Sequence, residues 1–251
     1  MLFLNEMAPD LWTATQSLRF LGLEVGCRMT LVRLPSGALV LISPLPLKNG
    51  DRARLDSLGT VNHLIAPNRF HHLYFGEAQT LYPQARAWGV DGLSQKRPDL
   101  RFDDTLDQPG DFEGVLHYLP FQGFASITPK GIQTLHETVF WHQPSQTVIL
   151  TDVAFNFDDT FPFSSRLAAR VLGSYQTLRP TRLEKWGSFD KKAVEQSIRQ
   201  VLDWEFERVI PGHGSIVETN GKAQLKAGYE WLLGRSLDPQ PALTAVGDSN
   251  R

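Results

Sequence analysis

Three short apolar runs in this chain end at or near side chains of the types that hold metal ions in proteins. One run ends at Asp152, a second passes into a Pro-Gly-His-Gly sequence that contains His213, and a third is followed by the adjacent pair His71 and His72. Runs of this length and composition predict buried strands. If the strand ends meet at one sheet edge, imidazole and carboxylate groups converge there, as zinc and related metals require. The sequence therefore predicts an α/β fold with a metal site at a sheet edge.

Composition narrows the class of protein. The chain has 251 residues, 41% of them hydrophobic, which suits one domain with a large core. Its net charge of -2 gives no indication of a basic face, so we expect neither a nucleic-acid nor a membrane partner. We expect the substrate to be a small molecule. Cys27 is the only cysteine, which excludes an internal disulfide and a thiolate cluster. We find no signal peptide or membrane-spanning run and expect a soluble, cytoplasmic protein.

The order of predicted elements indicates a layered sandwich. The first half reads mainly as strands and hairpins, and helices become frequent after Asp152. Such a pattern favours sheets packed together over a regular alternation of strand and helix. We predict one domain over residues 1–235 and a disordered tail over residues 236–251, which are rich in Pro, Ser, Gly and Asp. The oligomeric state is left open by the sequence.

Five segments resemble the metallo-β-lactamase superfamily, in particular an uncharacterised branch with an altered His-x-His-x-Asp-His motif. The resemblance extends over about residues 11–233. It implies a four-layer αββα sandwich with a metal site in a cleft at one edge of the two sheets. The segments are Leu64–Leu73, Lys96–Leu100, Leu135–Phe140, Ile149–Asp152 and Ile210–Gly214.

The altered motif changes the metal site that the resemblance implies. Pro67 and Arg69 stand where the superfamily has its first two motif histidines, and neither side chain binds a metal. The resemblance then implies one divalent metal, with zinc as first choice and iron or manganese as alternatives. It assigns catalytic roles to Asp152 and His71. The implied metal ligands are His71, His72, His136, Asp152 and His213.

Two points of this assignment are open at the level of sequence. A shift by one residue would make Glu137 the site residue in place of His136, because small residues or glycine usually follow this histidine in the superfamily and here Glu137 follows. Arg69 could also stand in for the cation that is missing from the first metal subsite. Its fixed guanidinium would then pair with Asp152 and repel a second divalent ion.

Two functions compete. The first is a metal-dependent hydrolase that uses a metal-bound hydroxide on an ester, thioester, lactone or phosphoester. The alternative is a catalytically inactive binding module of the same fold, with an anion or a protein partner in the cleft. The sequence has no Gly-x-Ser-x-Gly elbow, Walker loop or dinucleotide-binding glycine pattern, so serine hydrolases, NTPases and Rossmann enzymes are not supported.

Overall fold

The computed structural model describes residues 2–238, and every structural statement below refers to that range. The strands are β1 Asn5–Ala8, β2 Leu11–Gln16, β3 Arg19–Phe20, β4 Leu23–Glu24, β5 Cys27–Arg33, β6 Ala38–Ile42, β7 Thr60–Ile65, β8 Arg86–Gly89, β9 Asp104–Thr105, β10 Gly110–Phe112, β11 Leu116–Phe121, β12 Ala125–Thr128, β13 Gly131–Thr134, β14 Glu137–His142, β15 Thr147–Ile149 and β16 Arg208–Ile210. The α-helices are α1 Asn49–Asp56, α2 Phe75–Leu81, α3 Leu93–Lys96, α4 Phe163–Leu172, α5 Arg182–Gly187, α6 Lys191–Leu202 and α7 Gly221–Leu233.

Two mixed sheets form the centre of the molecule. The first has the strand order β1-β2-β5-β6-β7-β8-β9, antiparallel from β1 to β6 and parallel from β6 onward. The second has the order β10-β11-β14-β15-β16, in which only β15 and β16 run parallel. Two small hairpins, β3-β4 and β12-β13, lie outside these sheets.

Three apolar cores separate four layers. Between the sheets, Val40 and Ile65 of the first sheet pack in one cluster with Phe140 and Ile149 of the second. On the outer side of the first sheet, α1, α2 and α3 cover a second cluster. On the outer side of the second sheet, α6 and α7 cover a third. The four-layer αββα sandwich expected from the sequence is therefore confirmed.

Helix α6 shows how the sequence pattern produces an outer layer. Its apolar residues recur at helical spacing, so Val194, Ile198 and Val201 lie on one face, and all three are buried against the second sheet. Each such side chain contributes about 1.5–3 kcal/mol through burial. Asp190 begins the helix by accepting a hydrogen bond from the backbone N–H of Ala193.

The end of the described chain packs against the domain. Leu237 is buried with the apolar residues of α6 and α7, and its carbonyl accepts a hydrogen bond from Arg199. Of the tail predicted over residues 236–251, residues 236–238 lie within the described range and residues 239–251 lie outside it. None of the helices in residues 2–238 is both long and apolar enough to cross a bilayer.

The strand directions bring the predicted site residues to one edge. Strands β15 and β16 are parallel neighbours, so the segments that follow them, with Asp152 and His213, emerge side by side. Strand β14 is antiparallel to β15 and therefore begins, at Glu137, where β15 ends. The segment after β7 in the first sheet carries His71 to the same edge.

Candidate metal centre

Three side chains converge at this edge. Among the His, Cys, Asp and Glu side chains of residues 2–238, one group of three has candidate ligand atoms that all lie within 4.8 Å of one another. Its members are His71, Asp152 and His213. The Nε2 atoms of the two histidines are 3.2 Å apart. Asp152 Oδ2 lies 3.4 Å from His71 Nε2, and Asp152 Oδ1 lies 3.4 Å from His213 Nε2. The three side chains come from three separate parts of the chain.

These separations suit a shared ion better than direct hydrogen bonding. A tetrahedral ion with bonds of about 2.0–2.1 Å holds its ligand atoms about 3.3 Å apart, and the observed separations are 3.2 and 3.4 Å. A charge-assisted hydrogen bond from imidazolium to carboxylate would be shorter, at about 2.7–2.9 Å. Two imidazole nitrogens and one carboxylate are also the protein ligands of several catalytic zinc sites. The donor set therefore fits one small divalent cation.

The backbone on either side of His213 explains the glycines of the Pro-Gly-His-Gly sequence. A side chain at Gly212 would begin 2.9 Å from His71 Cε1 and 3.0 Å from Thr151 Cα. Gly214 has a φ of 86°, in the left-handed region, and a Cβ there would collide with the backbone of Asn156. The small residues thus let this loop approach the loops that carry the other two ligands.

Hydrogen bonds at the far ring nitrogen orient His213. Its Nδ1 lies 2.6 Å from the carbonyl oxygen of Gly26. Because a carbonyl only accepts, Nδ1 carries the proton and the Nε2 lone pair faces the cluster. The buried guanidinium of Arg28 also donates to the carbonyls of Pro211 and Gly214, the latter at 2.8 Å, and so clamps the loop on both sides of the histidine.

The ring of His71 is held in a comparable way. Its Nδ1 lies 2.7 Å from Ser43 Oγ. With the hydroxyl as acceptor, Nδ1 is protonated and the Nε2 lone pair points at the cluster, as metal-binding histidines require. The side chain of His71 is only 7% exposed, so water competes little for that lone pair.

Asn68 connects the loop of His71 to Asp152. Its Oδ1 accepts hydrogen bonds from the backbone N–H groups of Phe70, at 2.7 Å, and His71, at 2.8 Å. Its Nδ2 donates to Asp152 Oδ2 at 2.7 Å. Since Oδ1 faces donors and Nδ2 faces acceptors, the orientation of the amide follows from the network. Asn68 is fully buried, and it therefore fixes both ligands relative to each other.

Glu137 lies beneath Asp152 and acts as a support for it. Its carboxylate accepts hydrogen bonds from the backbone N–H groups of Thr151, at 2.6 Å, and Asp152, at 2.7 Å, and from Asn68 Nδ2 at 3.1 Å. Burial, reinforced by the Asp152 carboxylate, raises the pKa of Glu137 to about 7. Glu137, which the shifted alignment placed in the ligand position of His136, therefore lies next to the cluster and accepts hydrogen bonds from the backbone of Thr151 and Asp152.

His72 does not join the cluster, which departs from the expected ligand set. The backbone does turn at the histidine pair, yet His72 Nδ1 lies 2.8 Å from Arg97 Nη1. A guanidinium only donates, so the Nδ1 lone pair is already used and Nε2 carries the proton of the neutral ring. Burial, together with Lys96 and Arg97, lowers the pKa of His72. Neither nitrogen is left to bind a metal.

His136 also lies outside the cluster. Its backbone has a φ of 46°, in the left-handed region, and its ring nitrogen Nδ1 lies 3.8 Å from Asp91. This turn in the chain leaves the His136 side chain 36% exposed, whereas the next residue, Glu137, faces the buried network. Arg69 likewise contacts Asp91, through its carbonyl at 2.8 Å, in place of the expected pairing with Asp152.

The two charged ligands stabilise each other's ionised form. Burial by itself lowers the pKa of His71, but the neighbouring Asp152 carboxylate outweighs it, and the net pKa is raised. Burial by itself raises the pKa of Asp152, but the charges and hydrogen bonds of both histidines outweigh it, and the net pKa is lowered. In the metal-free protein each group therefore favours the charged form of the other, and an ion that binds here would displace the proton from His71 Nε2.

We predict that the protonated His71 and Glu137 network stabilises the metal-free protein less as the pH rises from 5.5 to 8.5. The raised pKa values of His71 and Glu137 mean that the folded state keeps protons which the unfolded chain has released. The lowered pKa of Asp152 acts only at more acidic pH. The lowered pKa values of four other histidines act in the opposite direction, so wild type is compared with Glu137→Gln, which leaves those histidines in place; they are His63, His72, His136 and His142. After dialysis against EDTA, the difference in the free energy of unfolding between wild type and the variant, measured with urea, should fall by about 1–2 kcal/mol from pH 5.5 to 8.5. A difference that stays constant or grows with pH would contradict the assignment.

Solved structures share the fold. The metallo-β-lactamase from Pontibacter korlensis has a TM-score of 0.60 and 12% identity, over 93% of this chain and 99% of that one. The mono-zinc form of FIM-1 from Pseudomonas aeruginosa has a TM-score of 0.59 and 10% identity, over 93% of both chains. The metal-soaked Flv1 flavodiiron core from Synechocystis sp. PCC6803 has a TM-score of 0.60 and 12% identity, over 93% of this chain and 61% of that one.

The fold is therefore that of the metallo-β-lactamases, as the sequence resemblance implied. Identities this low establish the architecture and leave the activity open. No curated protein matches the sequence. A family model matches residues 9–176, which include two of the three cluster residues, His71 and Asp152. The chain belongs to the family described as "Domain of unknown function (DUF4336)", and its fold is that of the metallo-β-lactamases.

Proposed function

We propose that this protein is a metal-dependent hydrolase with one divalent cation held by His71, Asp152 and His213. The observation that carries the proposal is the spacing of the ligand atoms at the edge of the sandwich: the two Nε2 atoms lie 3.2 Å apart, and each lies 3.4 Å from one oxygen of Asp152. The substrates we propose are esters, thioesters, lactones or phosphoesters. When bound, the cation would supply Lewis-acid polarisation and a water-derived nucleophile.

Zinc is the proposed metal, with iron or manganese as alternatives. Ligand atoms around an octahedral ion with 2.1 Å bonds would be about 3.0 Å apart, and those around tetrahedral zinc about 3.3 Å apart. The separations of 3.2 and 3.4 Å accommodate either ion, and the donor set of two imidazoles and one carboxylate favours zinc. FIM-1 in its mono-zinc form has the same fold, which agrees with a single zinc ion in such a sandwich.

The protein's own residues would prepare the site before a substrate arrives. Gly26 and Ser43 hold the two imidazole rings with Nε2 toward the cluster, and Asn68 holds one oxygen of Asp152. Ligands fixed in this way lose little freedom when an ion binds. We propose that Asp152 and His71, the catalytic residues suggested by the resemblance, act as ligands and that Asp152 also orients the attacking water.

The competing function, an inactive module with an anion held by Arg69, has less support. Arg69 contacts the carbonyl of Asp91 at 2.8 Å and its carboxylate at 3.7 Å. Its guanidinium is therefore already compensated by an acid. The separations inside the cluster also exceed those of strong hydrogen bonds, which an inactive polar cluster would favour.

The proposal is tested with zinc-reconstituted and EDTA-dialysed protein on four model substrates. These are 4-nitrophenyl acetate, a thioester of benzoic acid, γ-butyrolactone and bis(4-nitrophenyl) phosphate. We expect hydrolysis of at least one substrate class with zinc, its loss after dialysis and its return with one equivalent of the metal. Zinc-loaded protein that hydrolyses none of the four would refute the hydrolase and favour the binding module.

A further inference from the structure

The amide nitrogen of Asn68 has an unusual set of neighbours. Its Nδ2 lies 2.7 Å from Asp152 Oδ2, 3.0 Å from Thr151 Oγ1 and 3.1 Å from Glu137 Oε2. An amide nitrogen has two hydrogens, so three oxygen acceptors share them. Two of the three oxygens belong to buried carboxylic acids.

Such a set of oxygens is what a hard cation binds. Divalent ions such as manganese and magnesium prefer carboxylate and hydroxyl oxygens. Here the oxygens surround a neutral amide, which offers only partial positive charge. The Asn68 side chain is fully buried and tied at Oδ1 to the backbone of Phe70 and His71, so it cannot swing away without breaking both hydrogen bonds.

Asp152 contacts both the metal cluster, through His71 and His213, and the Asn68 amide. Its carboxylate lies 3.4 Å from the Nε2 atom of each histidine, while Oδ2 also accepts the Asn68 hydrogen bond. A second cation on that side of Asp152 would have to displace the amide. Arg69, the residue expected to exclude a second cation, lies against Asp91 instead.

We infer that the Asn68 amide occupies the place of a second cation and so limits the centre to one metal ion. This inference rests on the proposed function, because it concerns the same metal centre. Asn68 is then a positioning residue with two effects: it orients Asp152 for the first ion and supplies, through N–H groups, the positive charge that a second ion would bring.

The substitution that tests this is Asn68→Asp. The new carboxylate has nearly the shape of the amide but places a third acid beside Asp152 and Glu137. Three buried acids repel one another unless a cation or protons bind between them. We expect the variant to bind a second divalent ion, which the wild-type protein does not bind.

The measurement is metal content after equilibrium dialysis against zinc or manganese, for wild type, Asn68→Asp and the control Asn5→Asp. The control makes the same charge change at an exposed residue of β1. We expect one, two and one ions per chain. As a second readout, manganese should raise the melting temperature of Asn68→Asp more than that of wild type, because the third acid is compensated only when the ion binds.

The possible results distinguish a failure of the proposed metal centre from a failure of the role inferred for Asn68. One ion in both wild type and Asn68→Asp overturns the role of Asn68 and leaves the metal centre intact. Two ions in wild type also overturn it, because the amide then excludes nothing. No ion in wild type refutes the metal centre and this inference with it.

A second variant applies if Asn68→Asp does not fold. Asn68→Ala removes the amide and with it the N–H groups that the three oxygens share. This variant should bind a second manganese ion, more weakly than Asn68→Asp does, when the manganese concentration is in the millimolar range. A single ion under that condition overturns the inference.

Discussion

The His213→Ala variant is expected to lose its metal, from about one ion per chain to less than about a tenth. The substitution removes one of three ligand atoms, and the remaining pair, His71 and Asp152, holds an ion much more weakly. Loss of an outer-shell partner costs roughly 10–100-fold in metal affinity, and loss of a ligand should cost more. Elemental analysis of protein dialysed at a fixed free zinc concentration measures the change.

His72→Ala is the matched control. This histidine also precedes α2 and stands next to a ligand, but its Nδ1 is bound to Arg97 and lies outside the cluster. We expect the variant to retain its ion. If His72→Ala lost the metal as fully as His213→Ala, the ligand set drawn from the structure would be wrong and the five-ligand set implied by the resemblance would gain support.

Glu137→Ala is expected to have the largest effect on stability. The carboxylate accepts hydrogen bonds from the buried backbone N–H groups of Thr151 and Asp152, and these two donors would lose their acceptor, whereas the Asn68 amide would keep its other two acceptors. Each donor left without an acceptor costs about 1–3 kcal/mol, so we expect a loss of about 3–5 kcal/mol. For a domain of this size the melting temperature should fall by roughly 10 °C.

Differential scanning calorimetry of the metal-free proteins measures this loss. Glu205→Ala is the control, because the Glu205 side chain is 79% exposed and pairs with Lys222 at the surface. Exposed ion pairs contribute about 0–1 kcal/mol, so its melting temperature should change little. Equal effects of the two substitutions would show that Glu137 does not support the site.

Much of the fold could be predicted because the core strands carry a strong local pattern. Strand β14, Glu137–His142, contains an apolar run, and strand β16, Arg208–Ile210, directly precedes the Pro-Gly-His-Gly sequence, as expected of the run that leads into it. The β12-β13 hairpin was not predicted, since it lies outside both sheets and exposes Ile127 and Ile132. Helix α5 was also missed, although the spacing of Thr181 and Glu184 is that of a capping box.

The site could be predicted only in part, because ligation depends on where each side chain turns. His71, Asp152 and His213 meet as the strand ends indicated. The sequence could not show that Arg97 engages His72 or that the left-handed backbone at His136 directs Glu137 inward. The sequence around Asn68 and Ser43 did not indicate their roles, apart from their proximity to strand ends. Each forms a hydrogen bond to a distant segment of the chain, and only the tertiary structure brings these segments together.

A crystal structure of the zinc-loaded protein with anomalous scattering at the zinc edge tests the central claim most directly. The account predicts one peak, about 2.0–2.2 Å from His71 Nε2, His213 Nε2 and an oxygen of Asp152. The Nδ2 group of Asn68 should still donate its hydrogen bond to Asp152 Oδ2. A peak bound by His72 or His136, two peaks sharing Asp152, or no peak at these residues would contradict it.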